Sequence, residues 1–129
     1  MSKRHKILIL DPSPIFRSTL KEVIRARQFQ VEVAEAGDTE KARDILNNQP
    51  TDVVFLDIAF PGNNGISFIA DIKRMVPQVC VVVLSSHDSA EYKEASIQKG
   101  ADYFLSKDRS GGLRLLDVID EAIRGREIA

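Results

Sequence analysis

Four polar side chains, two carboxylates, a hydroxyl and an ammonium, each end a short apolar run of this 129-residue sequence. They belong to Asp11, Asp57, Ser85 and Lys107. Two carboxylates suit a hard divalent cation such as Mg2+, and one of them could also attack phosphorus as a nucleophile. An ammonium and a hydroxyl are suited to bind the oxygens of the transferred group. If the four groups meet in the folded chain, an aspartyl phosphate is the expected product.

Each of these residues also has a simpler structural interpretation. An aspartate at a strand end, such as Asp11, often caps the next helix or turn. Lys107 alone would be a solvated surface charge, and Ser85 would be a helix cap before Asp88. The functional interpretation therefore depends on all four side chains converging on one site.

The apolar pattern predicts strands that alternate with helices. Continuously apolar runs are typical of central parallel strands that helices cover on both faces, and three are present: Ile7–Leu10, Val53–Leu56 and Val79–Leu84. Two shorter segments, Val31–Val33 and Tyr103–Leu105, are predicted to be more exposed strands near the sheet edges.

Segments with helical periodicity lie between and after these strands. Ser13 and Pro14 predict a helix start, with serine as the N-cap and proline at the first helical position, and Asp38 is expected to cap the second helix. The segment Asp88–Lys99 has no clean apolar stripe, so it is predicted to be the least firmly packed helix. Ser110–Gly112 is predicted to be the loop before the last helix.

Regular alternation predicts an α/β fold, a flavodoxin-like (βα)5 sandwich. Its five-stranded parallel sheet should have the order 2-1-3-4-5, with helices on both faces. Ligands of such sheets bind outside the carboxyl ends of the strands, where the four polar residues stand. Residues 1–129 are predicted to form one domain, because this length and an apolar content of 43% suit one core.

Composition argues against several function classes. With 18 basic and 19 acidic residues, the chain gives no general reason to expect direct nucleic-acid or membrane-surface binding. Cys80, the only cysteine, lies inside an apolar run and is interpreted as a small core residue. The basic start of the chain precedes too few apolar residues for a signal peptide, and no segment approaches membrane-spanning length. A cytoplasmic location is expected.

The segments around the four polar residues resemble those of response-regulator receiver domains, the switches of two-component signalling. Ile7–Arg17, with the sequence ILILDPSPIFR, is similar to the opening of these domains. A proline four residues after Asp57 and a glycine eight residues after it match the family's acceptor segment. Val82–Ser86 resembles the segment that carries the family's hydroxyl residue, and Gly100–Asp108 the segment that carries its lysine.

This resemblance implies that Asp57 accepts a phosphoryl group from a histidine kinase, a phosphotransfer protein or a small phosphodonor. It implies phosphate contacts from Ser85 and Lys107. It also implies a Mg2+ site made by Asp11, Asp57 and the backbone carbonyl of Ala59. The only catalysis then expected is phosphorylation and dephosphorylation of the chain's own aspartate.

The resemblance further implies a switch at Phe104, where the family has an aromatic ring that changes orientation. The face from the fourth to the fifth helix is the expected surface for change and for a homodimer. Asp108 replaces the proline that follows the lysine in many relatives, so the chain looks closer to the branch that often carries a helix-turn-helix output domain. No output domain is expected within these residues.

Pro12 is the chief departure from the family pattern, because a second acid usually stands there as a direct metal ligand. Weaker Mg2+ binding is the expected result. Reduced repulsion of the incoming phosphoryl anion opposes this effect. Ala59 and His87 occupy the positions that tune the lifetime of the acyl phosphate in the family. Ala59 offers no polar group to guide water, whereas His87 could do so or could lie in solvent.

Two other hypotheses remain beside the switch. A pseudo-receiver that interacts without phosphorylation is supported by Pro12, but it gives no reason for Asp57, Ser85 and Lys107 to stand together. A true enzyme on a flavodoxin-like fold is the weakest, since no glycine-rich phosphate loop follows the first strand. The two histidines also lack the spacing of a triad or a metal site.

Overall fold

A computed structural model of the protein describes residues 4–27, 30–60, 63–86, 89–107 and 111–125. The strands in these ranges are β1 (His5–Leu10), β2 (Val31–Ala36), β3 (Val53–Leu56), β4 (Ala59–Phe60), β5 (Asn63–Asn64), β6 (Cys80–Ser85) and β7 (Tyr103–Ser106). The helices are α1 (Pro14–Ala26), α2 (Thr39–Asn48), α3 (Gly65–Met75), α4 (Ala90–Gln98) and α5 (Gly111–Arg124). None of these helices has the length and apolar character needed to cross a lipid bilayer.

Five of the strands form one parallel sheet in the order β2-β1-β3-β6-β7. Without the two-residue strands β4 and β5, this is the predicted order 2-1-3-4-5, so the flavodoxin-like fold is confirmed. The three continuously apolar runs are central and the two shorter segments are at the edges, as expected. β4 and β5 pair antiparallel in a small two-stranded sheet, which the apolar pattern did not predict because each strand has two residues.

The predicted helix starts are confirmed where the structure describes them. The Ser13 hydroxyl accepts a hydrogen bond from the Phe16 N–H at 3.1 Å, and Pro14 is the first residue of α1. Asp38 caps α2 by accepting from the Lys41 N–H at 2.8 Å. The prediction of a loop before the last helix was wrong for residues 111–112, which already belong to α5.

The core consists of two apolar clusters, one on each face of the sheet. Alternate residues of β1 point to opposite faces, so Leu8 and Leu10 join one cluster while Ile7 and Ile9 join the other. The first cluster packs against α2 and α3, and the second against α1 and α5. Both faces of the sheet are covered, which explains the continuous apolar runs within its central strands. Cys80 is buried in the second cluster, as expected.

Helix α4 is less firmly packed than the other helices in the described ranges. Its only buried residue is the polar Ser96, whereas Tyr92 and Ile97 are 43% and 49% exposed. An open, largely apolar groove runs along the same helix, lined by Ala90, Lys93, Glu94, Ile97 and Gln98. We call Tyr92 and these groove residues the α4 face. The absence of an apolar stripe thus predicted a helix that is weakly held to the sheet.

The connection from α4 to β7 is anchored to α3. Lys73 donates one hydrogen bond to the Val79 carbonyl at 2.7 Å and another to the Asp102 carboxylate at 2.8 Å. The same Asp102 oxygen accepts from the Val81 N–H at 2.8 Å. Gly100 has a φ of 116°, which favours glycine, and an added Cβ there would lie 3.0 Å from the Lys73 side chain.

Candidate functional site

The carboxyl ends of three strands bring Asp11, Asp57 and Lys107 to one edge of the sheet. They directly follow β1, β3 and β7, respectively. The Asp57 N–H donates to the Leu10 carbonyl at 2.9 Å, which extends the pairing of β1 and β3. The Lys107 N–H likewise donates to the Ser85 carbonyl at 2.9 Å, beyond the end of β7. The register of the sheet therefore aligns these residues.

The Lys107 ammonium joins the two carboxylates. Its Nζ lies 2.7 Å from Asp11 Oδ2 and 2.8 Å from Asp57 Oδ2. The side chains of the two aspartates are only 2% and 7% exposed, and that of the lysine 17%. Burial on its own would lower the pKa of Lys107, but the hydrogen bonds to Asp11 and Asp57 outweigh it and hold that pKa above its usual value. The lysine is therefore positively charged at neutral pH.

The second oxygen of each carboxylate is held by a backbone N–H. Asp11 Oδ1 accepts from the Ser13 N–H at 2.8 Å, and Asp57 Oδ1 accepts from the Ala59 N–H at 2.8 Å. All four carboxylate oxygens thus have a donor, which fixes the orientation of both groups. Asp11 does form the local turn expected of a strand-end aspartate, and it contacts Lys107 at the same time.

Arg17 supports the main chain of the β1–α1 loop, a contact that the sequence did not indicate. Its Nη1 donates to the Asp11 carbonyl at 2.7 Å, while its Nε donates to the Glu35 carboxylate of β2 at 3.0 Å. Lys21 also approaches Glu35, at 3.5 Å. The loop that contains Pro12 is therefore held to the edge strand by a charged side chain.

Phe16 lies beside the same ammonium. The centre of its ring is 4.0 Å from Lys107 Nζ, within the range of a cation–π contact. In the sequence, Phe16 lies within the segment Ile7–Arg17 that resembles receiver domains and has the periodicity of the first helix, but neither feature indicated a contact with Lys107. Its position, five residues after Asp11 in the first turn of α1, was the one available signal.

The remaining predicted site residues are placed as follows. Ser85 is fully buried as the last residue of β6, the strand between β3 and β7. Ala59 begins β4, and its N–H donates to the Asp57 carboxylate. Phe104 is half-buried and packs against the first apolar cluster. His87 lies outside the described residues. The structure thus joins three of the predicted residues directly and places Ser85 on the neighbouring strand.

Gly65, eight residues after Asp57, permits a close approach between α3 and the segment that follows Asp57. A Cβ on Gly65 would lie 2.5 Å from Ile58 Cα and 2.7 Å from the Ile58 carbonyl oxygen. Real Cβ atoms do not come this close to a backbone, so a larger residue would displace the segment that follows Asp57. The close contact with Ile58 therefore explains why a glycine stands eight residues after Asp57.

Two carboxylate oxygens that converge on one ammonium define a position for a cation. Their chemistry fits a hard divalent ion, which prefers oxygen ligands. Within the described ranges, however, no three histidine, cysteine, aspartate or glutamate side chains group closely enough to hold a metal. Pro12 is exposed and offers no carboxylate. A metal would therefore meet two acids here, with Lys107 between them.

Comparisons with known proteins agree with this geometry. Residues 7–119 match the family described as the response regulator receiver domain. The chain belongs to this family. Receiver domains are the phosphoacceptor switches of two-component systems, and the fold of the chain is that of such a domain.

Two curated relatives show the variety of proteins that contain this domain. A protein-glutamate methylesterase/protein-glutamine glutaminase 2 from Vibrio vulnificus is 35% identical over 107 residues, which cover 81% of this chain and 31% of that protein. The transcriptional regulatory protein DegU from Brevibacillus brevis is 31% identical over 120 residues, or 92% of this chain and 48% of that protein. The chain thus spans half or less of each relative.

A solved structure of a response regulator from Burkholderia pseudomallei has the same fold. It superimposes with a TM-score of 0.79 at 20% identity, over 95% of this chain and 71% of that one. That protein was solved with a phosphorylated aspartic acid, a calcium ion and citrate. Divalent metal binding thus occurs among receiver domains.

Proposed function

We propose that Asp57 is the phosphoacceptor of this receiver domain and takes its phosphoryl group from a histidine kinase or a phosphotransfer protein. The contact of Lys107 Nζ with both Asp57 and Asp11 supports this most strongly, because it places a positive charge next to the nucleophile. Catalysis is then limited to phosphorylation and dephosphorylation of this aspartate. A cytoplasmic location, where such kinases present their phosphohistidine, completes the proposal.

In the transfer step, a carboxylate oxygen of Asp57 attacks the phosphorus of the donor. The bond from phosphorus to the donor's imidazole nitrogen breaks, its electron pair stays on that nitrogen, and a new oxygen–phosphorus bond forms the acyl phosphate. Lys107 moves from the carboxylates to the phosphoryl oxygens, and the Ser85 hydroxyl donates to another of them. The Ala59 N–H remains on the carboxyl group and keeps it oriented.

Mg2+ would be held by Asp11, Asp57 and the Ala59 carbonyl, and it would neutralise charge on the transferred group. For the ion to bind there, Lys107 would have to leave its position between the two carboxylates. Weak Mg2+ binding is expected, since Pro12 contributes no ligand and Lys107 competes for both carboxylates.

The phosphorylated state would be read on the α4 face. The exposed Tyr92 and Ile97 and the weak packing of α4 support a surface that rearranges when Phe104 changes its orientation. A homodimer through the surface from α4 to α5 is the partner arrangement we propose, without direct nucleic-acid or membrane contact by this domain. Ala59 and His87 are the proposed positions that set the lifetime of the acyl phosphate.

A pseudo-receiver is the second candidate, and one observation favours it. Lys107 already satisfies both acids without a metal, so the site is a stable ion-pair cluster even if no phosphoryl group arrives. In that case the α4 face would bind partners in a single constitutive state.

Incubation with acetyl phosphate, followed by intact-protein mass spectrometry, separates the two candidates. The wild-type chain should gain the mass of one phosphoryl group with Mg2+ present and more slowly with a chelator. The isosteric Asp57→Asn variant should gain none under either condition. A wild-type chain that gains no mass in either condition would support the pseudo-receiver hypothesis instead.

A further inference from the structure

The aromatic ring beside the ammonium has no role in the mechanism above. We propose that Phe16 is a positioning residue whose ring face holds the Lys107 ammonium at the phosphoacceptor site, an inference that rests on the proposed function. The ammonium contacts the Oδ2 atoms of Asp11 and Asp57, and the ring contacts it from a third direction.

The contact has the geometry and the environment in which a cation–π interaction is strong. The ring centre lies 4.0 Å from Nζ, and Lys107 is largely withdrawn from solvent. Such contacts strengthen as water is excluded from the cation. By comparison, Arg43 lies 5.0 Å from the Phe68 ring, and its side chain is 48% exposed.

One short turn positions both the ring and a carboxylate. Asp11 accepts from the Ser13 N–H, and the Ser13 hydroxyl accepts from the Phe16 N–H. The ring also packs against the apolar cluster shared with α5. Asp11 and Phe16 are thus oriented together, so the two groups approach Lys107 from fixed directions.

The ring supplies a support that survives the chemical step. As Asp57 becomes an acyl phosphate, it loses its carboxylate charge and Lys107 must turn to the phosphoryl oxygens. Asp11 and the ring stay in place during this change, because neither takes part in the new covalent bond. Phe16 therefore limits the positions that the ammonium reaches, and its loss should slow phosphoryl uptake by about 3- to 10-fold, as expected for one cation–π contact.

The test compares Phe16→Leu, which keeps apolar volume, with Phe16→Tyr, which keeps a ring. Phe68→Leu is the matched control, since it removes a buried ring next to a cation away from the site. The initial rate of labelling by acetyl phosphate should fall in Phe16→Leu, recover to within about twofold in Phe16→Tyr, and remain near the wild-type rate in Phe68→Leu. Wild-type speed in Phe16→Leu, equal slowing in Phe68→Leu, or no recovery in Phe16→Tyr would each overturn the proposal.

A spectroscopic measurement tests the placement without any phosphorylation. In the NMR spectrum of the unphosphorylated wild-type protein, the ring current of Phe16 should shift the Cε protons of Lys107 upfield of those of the exposed Lys93. An ordinary shift at Lys107 would refute the contact. If the wild-type chain takes up no phosphoryl group, the proposed function fails. The chemical shift still shows whether the Phe16 ring contacts the Lys107 side chain.

Discussion

The site edge of the sheet and the α4 face differ in how completely their polar groups are paired and their apolar groups buried. At the site edge, each oxygen of Asp11 and Asp57 has a donor, and the ammonium between them is enclosed. On α4, two large apolar side chains face solvent, and the buried Ser96 hydroxyl has no hydrogen-bond partner in the described structure. The proposed phosphorylation site thus lies in a region whose polar groups are fully paired, and the proposed output surface lies on a weakly held helix.

The largest expected effect of a single change is at Lys107. Lys107→Met leaves two buried carboxylates without their counter-ion, so the free energy of unfolding at pH 7 without divalent cations should fall by about 3–5 kcal/mol. Urea denaturation measures it. Lys93→Met on the α4 face is the control and should change stability by less than about 0.5 kcal/mol. Equal effects at both lysines would remove the contrast between the regions.

The same lysine predicts a pH dependence. The folded pKa of Lys107 lies above the value of 10.5 expected for an unperturbed lysine. Its stabilisation is therefore fully present below that value and is lost as the pH rises through the folded pKa. Between neutral pH and this alkaline range, wild-type stability should decline more than that of Lys107→Met. Parallel curves for the two proteins would show that the ion pairs add no pH-dependent stability.

Gly65→Ala tests the close approach behind the acceptor segment. The new Cβ would meet the Ile58 backbone, and such overpacking should cost about 1–3 kcal/mol of unfolding free energy. In Gly37→Ala, the nearest atom is instead the end of the flexible Arg17 side chain at 3.2 Å, so a smaller loss is expected. Thermal unfolding of the two variants is compared with that of the wild type. A melting temperature of Gly65→Ala equal to that of the wild type would contradict the close approach.

Pro12→Asp should change metal affinity more than stability. A third carboxylate next to Asp11 should tighten Mg2+ binding by about tenfold or more, as determined by isothermal titration. Pro14→Asp adds the same charge at the first residue of α1 and should have little effect, since charge alone is not a ligand. Should both variants bind Mg2+ equally well, the missing ligand at position 12 would not explain weak binding.

The smallest effect is expected on α4. Ser96→Ala removes a buried hydroxyl without a hydrogen-bond partner in the described structure, so it should stabilise the protein by about 0.5–1 kcal/mol. Differential scanning calorimetry would show this as a higher melting temperature. A lower one would mean that the hydroxyl has a partner, and that α4 is held more firmly than its exposed side chains indicate.

The sequence predicted most of the fold because strands, helix starts and sheet order depend on local patterns. Continuous apolar runs indicated the central strands, and Ser13 and Asp38 indicated two helix starts. The residues that follow the strands, Asp11, Asp57 and Lys107, were found because parallel strands place their carboxyl ends at one edge.

What the sequence did not predict depends on side-chain directions across elements. The ring of Phe16 and the guanidinium of Arg17 reach the site from the first turns of α1, and an apolar stripe does not specify which neighbour each will meet. Nor did it show that Lys107 would contact both acids at once. The strands β4 and β5 are too short to leave a periodic pattern.

The anchor between Lys73 and Asp102 has a consequence for the motion of α4. It fixes the chain just beyond the carboxyl end of this helix, where Gly100 makes its turn against Lys73. Any displacement of α4 relative to α3 should therefore be restricted at the carboxyl end of the helix, next to Gly100.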